Sequence, residues 1–203
     1  EGHLIDYVGA YSDIQQGKIK AVIPLNNIFK EDPVRIIRAI KYSEMTGFKP
    51  GFLLKRAMKK SVDLVAEISS SRLTEELFKV LLSGYSGQII KKLSSYGLLE
   101  FILPNLDSLL KDQNESEFQK YFFRSLSLLD REVREHDEER RARALSFLLA
   151  DYLFLKSPFG KAERIPFKET LADLKLFIQP ITPPNFQLER ALSWLIRKRK
   201  KYY

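Results

Sequence analysis

Glu31, Asp32, Arg35 and Arg38 are spaced for recognition chemistry within Lys30-Glu31-Asp32-Pro33-Val34-Arg35-Ile36-Ile37-Arg38-Ala39-Ile40. In a helix, residues three or four apart share a face. Asp32 suits the N-cap and Pro33 the first helical position, so the helix starts there. Ile36, Ile37, Ala39 and Ile40 give it an apolar side. A carboxylate offers only acceptors, whereas a guanidinium offers a rigid fork of donors. Side by side at the open end of a helix, the two can read the hydrogen-bonding edge of a nucleobase. The helix N-terminus also favours phosphate. The plainer reading is an N-cap with a surface ion pair.

The surrounding residues weigh against the plainer reading. Upstream stands Ile5-Asp6-Tyr7-Val8-Gly9-Ala10-Tyr11-Ser12-Asp13-Ile14, then Gly17-Lys18-Ile19. Downstream are Gly47-Phe48, Ser71-Arg72-Leu73-Thr74-Glu75-Glu76-Leu77, Leu82-Ser83-Gly84-Tyr85, Gly97-Leu98-Leu99 and Leu103-Pro104. In this order and spacing the chain resembles bacterial poly(A) polymerases. These stand with the CCA-adding tRNA nucleotidyltransferases in one branch of the nucleotidyltransferase superfamily. The shared pattern runs from Asp6 to about Pro104. Asp6-Tyr7-Val8-Gly9-Ala10 and the Gly84-Tyr85 pair lean to the poly(A) polymerase side. Departures are Ala10 for a second Gly, Lys41-Tyr42 for Arg-Phe, and Thr74, where tRNA enzymes often carry Arg.

The resemblance implies template-independent transfer of AMP from ATP to an RNA 3′ end. Two metal ions, usually magnesium, are held in that family by carboxylates of an N-terminal head. Carried over by position, Asp32 would accept from the adenine amine and Arg35 would donate to a ring nitrogen. Glu31 would hold Arg35, and Arg38 would approach the phosphates or brace Arg35. Arg72, Glu75 and Glu76 would support that helix from its neighbour. Asp6, Gly9 and Asp13 would mark the head–neck junction as structural groups, not metal ligands. The head's aspartate pair, Gly-Ser loop and Arg-Arg-Asp motif have no counterpart in the sequence. The chain therefore reads as neck and body without catalytic residues, expected inactive alone and binding no cofactor itself. ATP and magnesium belong to the full-length enzyme. A CCA-adding enzyme, a non-catalytic helical RNA-binding module and a helical scaffold remain alternatives.

Composition sets the remaining bounds. The 203 residues carry a net charge of +8, 44% hydrophobic residues and 14 Phe, enough for a substantial core. With no Cys, disulfides and thiolate metal sites are excluded. His3 and His136 stand far apart with no partner at ligand spacing, so no metal site is expected. No apolar run is long enough to span a bilayer, and the first residues lack a signal-peptide pattern. A cytoplasmic monomer is the simplest expectation. A polyanionic partner suits the charge. Arg197-Lys198-Arg199-Lys200-Lys201, beside Tyr202-Tyr203, fits a strand of RNA, with a solubilising tail as the alternative. Arg140, Arg141 and Arg143 are a second candidate, though the alternating charges of 131–143 favour a solvated corner laced by i,i+4 pairs.

These groups must be positioned by an all-α, elongated array of helices with a short β remnant at the N-terminus. Two β-type runs, His3–Val8 and Lys18–Ile23, read as the last strands of the head without their sheet partners. Helices are expected over 32–46, 51–68 with a break at Ser61, 72–83 capped by Ser71, and 86–96. A short helix ends before Pro104, and further helices fall at 115–135, 137–156, 166–178 and 184–200. Three segments are expected: 1–25 as junction, 26–110 as neck, and 111–203 as body with a basic tail. The polar stretch Lys111-Asp112-Gln113-Asn114-Glu115 marks the last boundary.

Overall fold

The computed structural model describes residues 5–135 and 140–199. The chain divides into two compact units, Glu1–Ile68 and Ser69–Tyr203.

The first unit opens with α1 (Ala10–Gln15) and β1 (Lys18–Ile19), followed by α2 (Ile28–Glu31) and α3 (Val34–Thr46). β2 (Lys49–Pro50), α4 (Phe52–Lys60) and a 3-10 turn (Val62–Glu67) complete it. The expected strand over His3–Val8 is absent among the described residues 5–8. The Asp6 carboxylate instead accepts from the backbone N–H of Val8, Ala10 and Tyr11 at 3.1, 2.9 and 2.8 Å. Those bonds, with Gly9 at φ 75°, turn the chain into α1. The expected strand at 18–23 shortens to two residues, and it has a partner. β1 pairs parallel with β2, Lys18 opposite Lys49 and Ile19 opposite Pro50. The crossover between them carries α2 and α3.

α3 forms where its apolar spacing demands. Asp32 is extended and Pro33 already helical, so the chain enters the helix at the proline. Val34, Ile36, Ile37 and Ile40 are buried. Gly47, at φ 74°, stops the helix in the left-handed conformation that costs glycine least. The expected break at Ser61 separates α4 from the 3-10 turn.

The second unit comprises α5 (Ser70–Leu81), α6 (Ser86–Ser95), α7 (Leu99–Ile102), α8 (Pro104–Lys111), α9 (Ser116–Glu135), α10 (Arg140–Asp151), α11 (Phe167–Phe177) and α12 (Asn185–Lys198). α10 widens into a π turn at Tyr152–Lys156. α5 starts at Ser70 with extended Ser69 before it, so Ser71 is not the cap and Glu75 and Glu76 lie beyond the first turn. Pro104 starts α8, as its fixed φ suits a first helical position. Lys111–Glu115 is a turn between α8 and α9 inside this unit, closed by Asp112 accepting from the Asn114 N–H at 2.9 Å.

α9, α10 and α12 pack through stripes at helical spacing. Phe118, Phe122, Leu126 and Leu129 meet Leu145, Leu148 and Leu149, with Leu188, Leu192 and Leu195 against them, and all are buried. At the end of α10, Tyr152 stacks on Phe177 at 3.7 Å and donates its hydroxyl to Asp173 at 3.0 Å. Burial and that carboxylate push the Tyr152 phenol up to about 12. The next loop returns so closely that a Cβ on Gly160 would stand 1.8 Å from the Leu153 carbonyl oxygen. Among the described residues, no helix is long and apolar enough to cross a membrane.

Candidate nucleotide-base pocket and RNA-binding groups

The α2–α3 junction fixes one guanidinium from several sides. Arg35 Nη1 donates to the Ile28 carbonyl at 3.1 Å and to Glu31 Oε2 at 3.4 Å. Its Nε lies 4.0 Å from Asp32 Oδ2. Both groups reach it across the turn at extended Asp32, which ends α2 before α3 begins. Preorganised in this way, Arg35 loses little side-chain entropy on engaging a ligand.

A cavity of about 340 Å³ opens beside it. Arg35, Arg38, Ala39 and Tyr42 line it from α3, spaced i, i+3, i+4 and i+7. Ile19 of β1 and the following Lys20, Ala21, Val22 and Ile23 add a mostly apolar wall, with Leu54 of α4. Its size falls at the small end of ligand pockets, which run from about 300 to 1,000 Å³. The chemistry is cationic at one end and aromatic at the other: Tyr42 is half exposed, with Lys41 Nζ 4.7 Å above its ring. Sequence reasoning missed Tyr42 and the apolar wall as pocket elements. The i+7 spacing of Tyr42 from Arg35 was the available signal.

Other sequence candidates have definite places. Glu75 receives both Arg141 Nη1 and Nη2 at 2.8 Å, which holds its carboxyl below the ordinary range. Glu76 is buried, and Lys79 donates to it at 2.9 Å. Arg72 lies on an exposed position of α5. Arg141 also lies 4.8 Å above the Phe78 ring. Arg143 donates to both oxygens of Glu132 and stacks on Trp194. Among the described residues, the charged corner is held by pairs between helices, Glu75 with Arg141 and Glu132 with Arg143. Arg197 and Lys198 are exposed at the end of α12, and Arg199 donates to the Glu163 carbonyl at 3.1 Å. Lys200, Lys201, His3, His136 and the Arg140 side chain lie outside the described residues.

The junction carboxylates are committed locally. Three backbone N–H groups hold the Asp6 carboxyl below its ordinary range, chiefly that of Tyr11. Asp13 pairs with Lys20. Among the described residues no three His, Asp or Glu gather as metal ligands.

The candidate binding groups are thus a braced guanidinium beside a small mixed pocket in the first unit and exposed cations at the end of α12 in the second. A family profile described as "Probable RNA and SrmB- binding site of polymerase A" matches residues 47–110. Poly(A) polymerase I of Escherichia coli O6:H1 is 27% identical over 135 residues, which cover 66% of this chain and 29% of that protein. The CCA-adding enzyme of Bacillus pumilus is 36% identical over 120 residues, 59% of this chain and 29% of that protein. The Thermotoga maritima CCA-adding enzyme, solved in complex with tRNA, shares the fold at TM-score 0.50 and 18% identity, over 97% of this chain and 54% of that one. The chain thus spans less than a third of the first two relatives. These matches support a body region of the tRNA nucleotidyltransferase/poly(A) polymerase family.

Proposed function

We propose that the chain is the neck and body of a poly(A) polymerase, selecting ATP at the α3 pocket and guiding an RNA 3′ end toward a separate catalytic head. The observation that carries this is Arg35, held by Ile28 and Glu31 at the edge of a base-sized cavity. Its fixed donors suit the ring nitrogen of adenine, and Asp32 beside it suits the exocyclic amine. Arg38, on the same wall, is one turn nearer the apolar end. In this reading the head supplies the metal-binding carboxylates and magnesium, so the chain alone extends no primer. The protein works as a monomer in the cytoplasm.

A CCA-adding enzyme is the second reading, favoured by the higher identity to the Bacillus pumilus protein. The Asp6-Tyr7-Val8-Gly9 junction and Gly84-Tyr85 support the first. Primer extension by the full-length protein separates them. Long extension of oligo(A) with ATP alone supports poly(A) polymerase. Addition limited to tRNA ends, requiring CTP and ATP, supports the tRNA enzyme.

A further inference from the structure

The second unit holds a larger cavity, about 510 Å³, between α9, α10 and α12. It is lined wholly by residues 117–198 and so is independent of the α3 pocket and its reading. Its floor contains Asp151, only 4% exposed. Ser125 donates a hydrogen bond to that carboxylate, yet Oδ2 has no partner. Apolar packing would serve this position better if it were merely core, because a buried acceptor without a donor is destabilising. The mouth has different chemistry. Tyr121 is 38% exposed, and the cations Arg124 and Lys198 also line the cavity. Trp194 forms a further wall, with Lys198 Nζ 4.5 Å over its ring.

We propose that this cavity is a second nucleotide site, taking one unpaired, amine-bearing base of bound RNA. The base stacks on Tyr121 and directs its exocyclic N–H groups at Asp151. Its phosphate remains at the mouth with Arg124 and Lys198. Adenine, cytosine and guanine carry such an amine. Uracil offers only an N3–H flanked by two carbonyl oxygens, which face the carboxylate unfavourably. Lys198, which lines the cavity, belongs to the basic run Arg197-Lys198-Arg199-Lys200-Lys201 in the sequence. Aromatic platforms beside cations are how proteins hold single strands.

Fluorescence tests this directly, because Trp194 is the only Trp in the chain and lines the cavity. AMP titrated into the chain should change the Trp194 emission saturably, at an affinity about tenfold or more above that of UMP or ribose 5-phosphate, as a charge-assisted bond implies. Asp151→Leu, which removes the acceptor while keeping bulk, should abolish the preference for AMP. If that variant fails to fold, Tyr121→Ala at the exposed mouth serves instead and should weaken AMP several-fold. Equal response to AMP, UMP and ribose 5-phosphate would reduce the site to a cationic patch and overturn the proposal. Absence of a saturable response, or AMP binding unchanged in Tyr121→Ala, would overturn it too.

Discussion

The guanidinium carbon of Arg143 lies 3.4 Å from the centroid of the Trp194 ring, while Nε and Nη2 hold Glu132 at 2.6 and 3.0 Å. One side chain thereby ties α9, α10 and α12 together. The planar fork is essential, since an ammonium neither bridges both carboxylate oxygens nor stacks flat on an indole. Arg143→Lys should destabilise the chain by about 1–3 kcal/mol in urea unfolding, because it breaks the bidentate bond and weakens the cation–π stacking. The salt dependence of RNA binding should not change. A variant of full stability with a flattened salt slope would make Arg143 an RNA-binding group instead of a clamp.

In the proposed function Arg35 reads the nucleotide base. In the full-length protein, Arg35→Ala should cost about 1.5–3 kcal/mol in kcat/KM for ATP, the worth of a bond to a charged donor. It should also blur ATP against CTP. Glu31→Gln should do less, because the Ile28 carbonyl at 3.1 Å still orients the guanidinium. Steady-state kinetics with both nucleotides decides it. Unchanged selectivity in a folded Arg35→Ala protein would transfer base reading to another residue of the pocket.

The helices were legible because apolar spacing and stop residues coincide. The stripe of Val34, Ile36, Ile37 and Ile40 ends at Gly47, and Phe118, Phe122 and Leu126 mark the buried side of α9. Local polar bonds were less legible. His3–Val8 alternates like a strand, yet Asp6 turns the backbone at Val8, Ala10 and Tyr11. Spacing also brought Glu31 to Arg35, four positions on, although extended Asp32 interrupts the helix between them. It did not reveal Ile28 as an anchor, or that Glu75 and Arg141, 66 positions apart, make a bidentate pair. Such pairings depend on how helices pack, and no periodicity within one helix encodes them. The Asp151 cavity was invisible for the same reason, since its residues come from three helices.

Asp151 gives a pH signature. Burial raises its carboxyl above the ordinary 3.8, against the smaller opposing effect of the Ser125 bond. The folded chain therefore binds this proton more tightly than the unfolded chain. Its favourable contribution is complete below the unfolded value and is lost as pH rises through the folded value. The other charged groups facing the cavity are Arg124, Arg143, Lys198 and Glu117. Asp151→Asn should therefore stabilise the chain at pH 7–8 by on the order of 1 kcal/mol, with the gain shrinking toward pH 4. Thermal melts across that range test it. A variant equally stable or weaker at pH 8 would mean that the ionised carboxylate is compensated in the folded chain.

The basic end of the chain is a candidate RNA contact that truncation can test. α12 runs through Lys198, and Arg199 is fastened to the Glu163 carbonyl. Truncation after Arg199 therefore leaves the helix whole while removing Lys200, Lys201, Tyr202 and Tyr203. Adding Arg197→Gln removes an exposed cation from the last turn without touching the apolar stripe of Leu188, Leu192 and Leu195. Binding to phosphates releases counterions, so each cation–phosphate pair removed should flatten the salt dependence of single-stranded RNA binding by ~0.7 in the log–log slope. Binding should weaken for all sequences alike, because charge on phosphate carries no base information. Melting temperature should stay constant, since the apolar stripe of α12 is untouched. RNA affinity measured over a salt series for the intact chain, the truncation and the combined variant gives the result. Three identical slopes would show the tail to be a solubilising end and move the phosphate-binding role to Arg124 and Lys198, beside the Asp151 cavity.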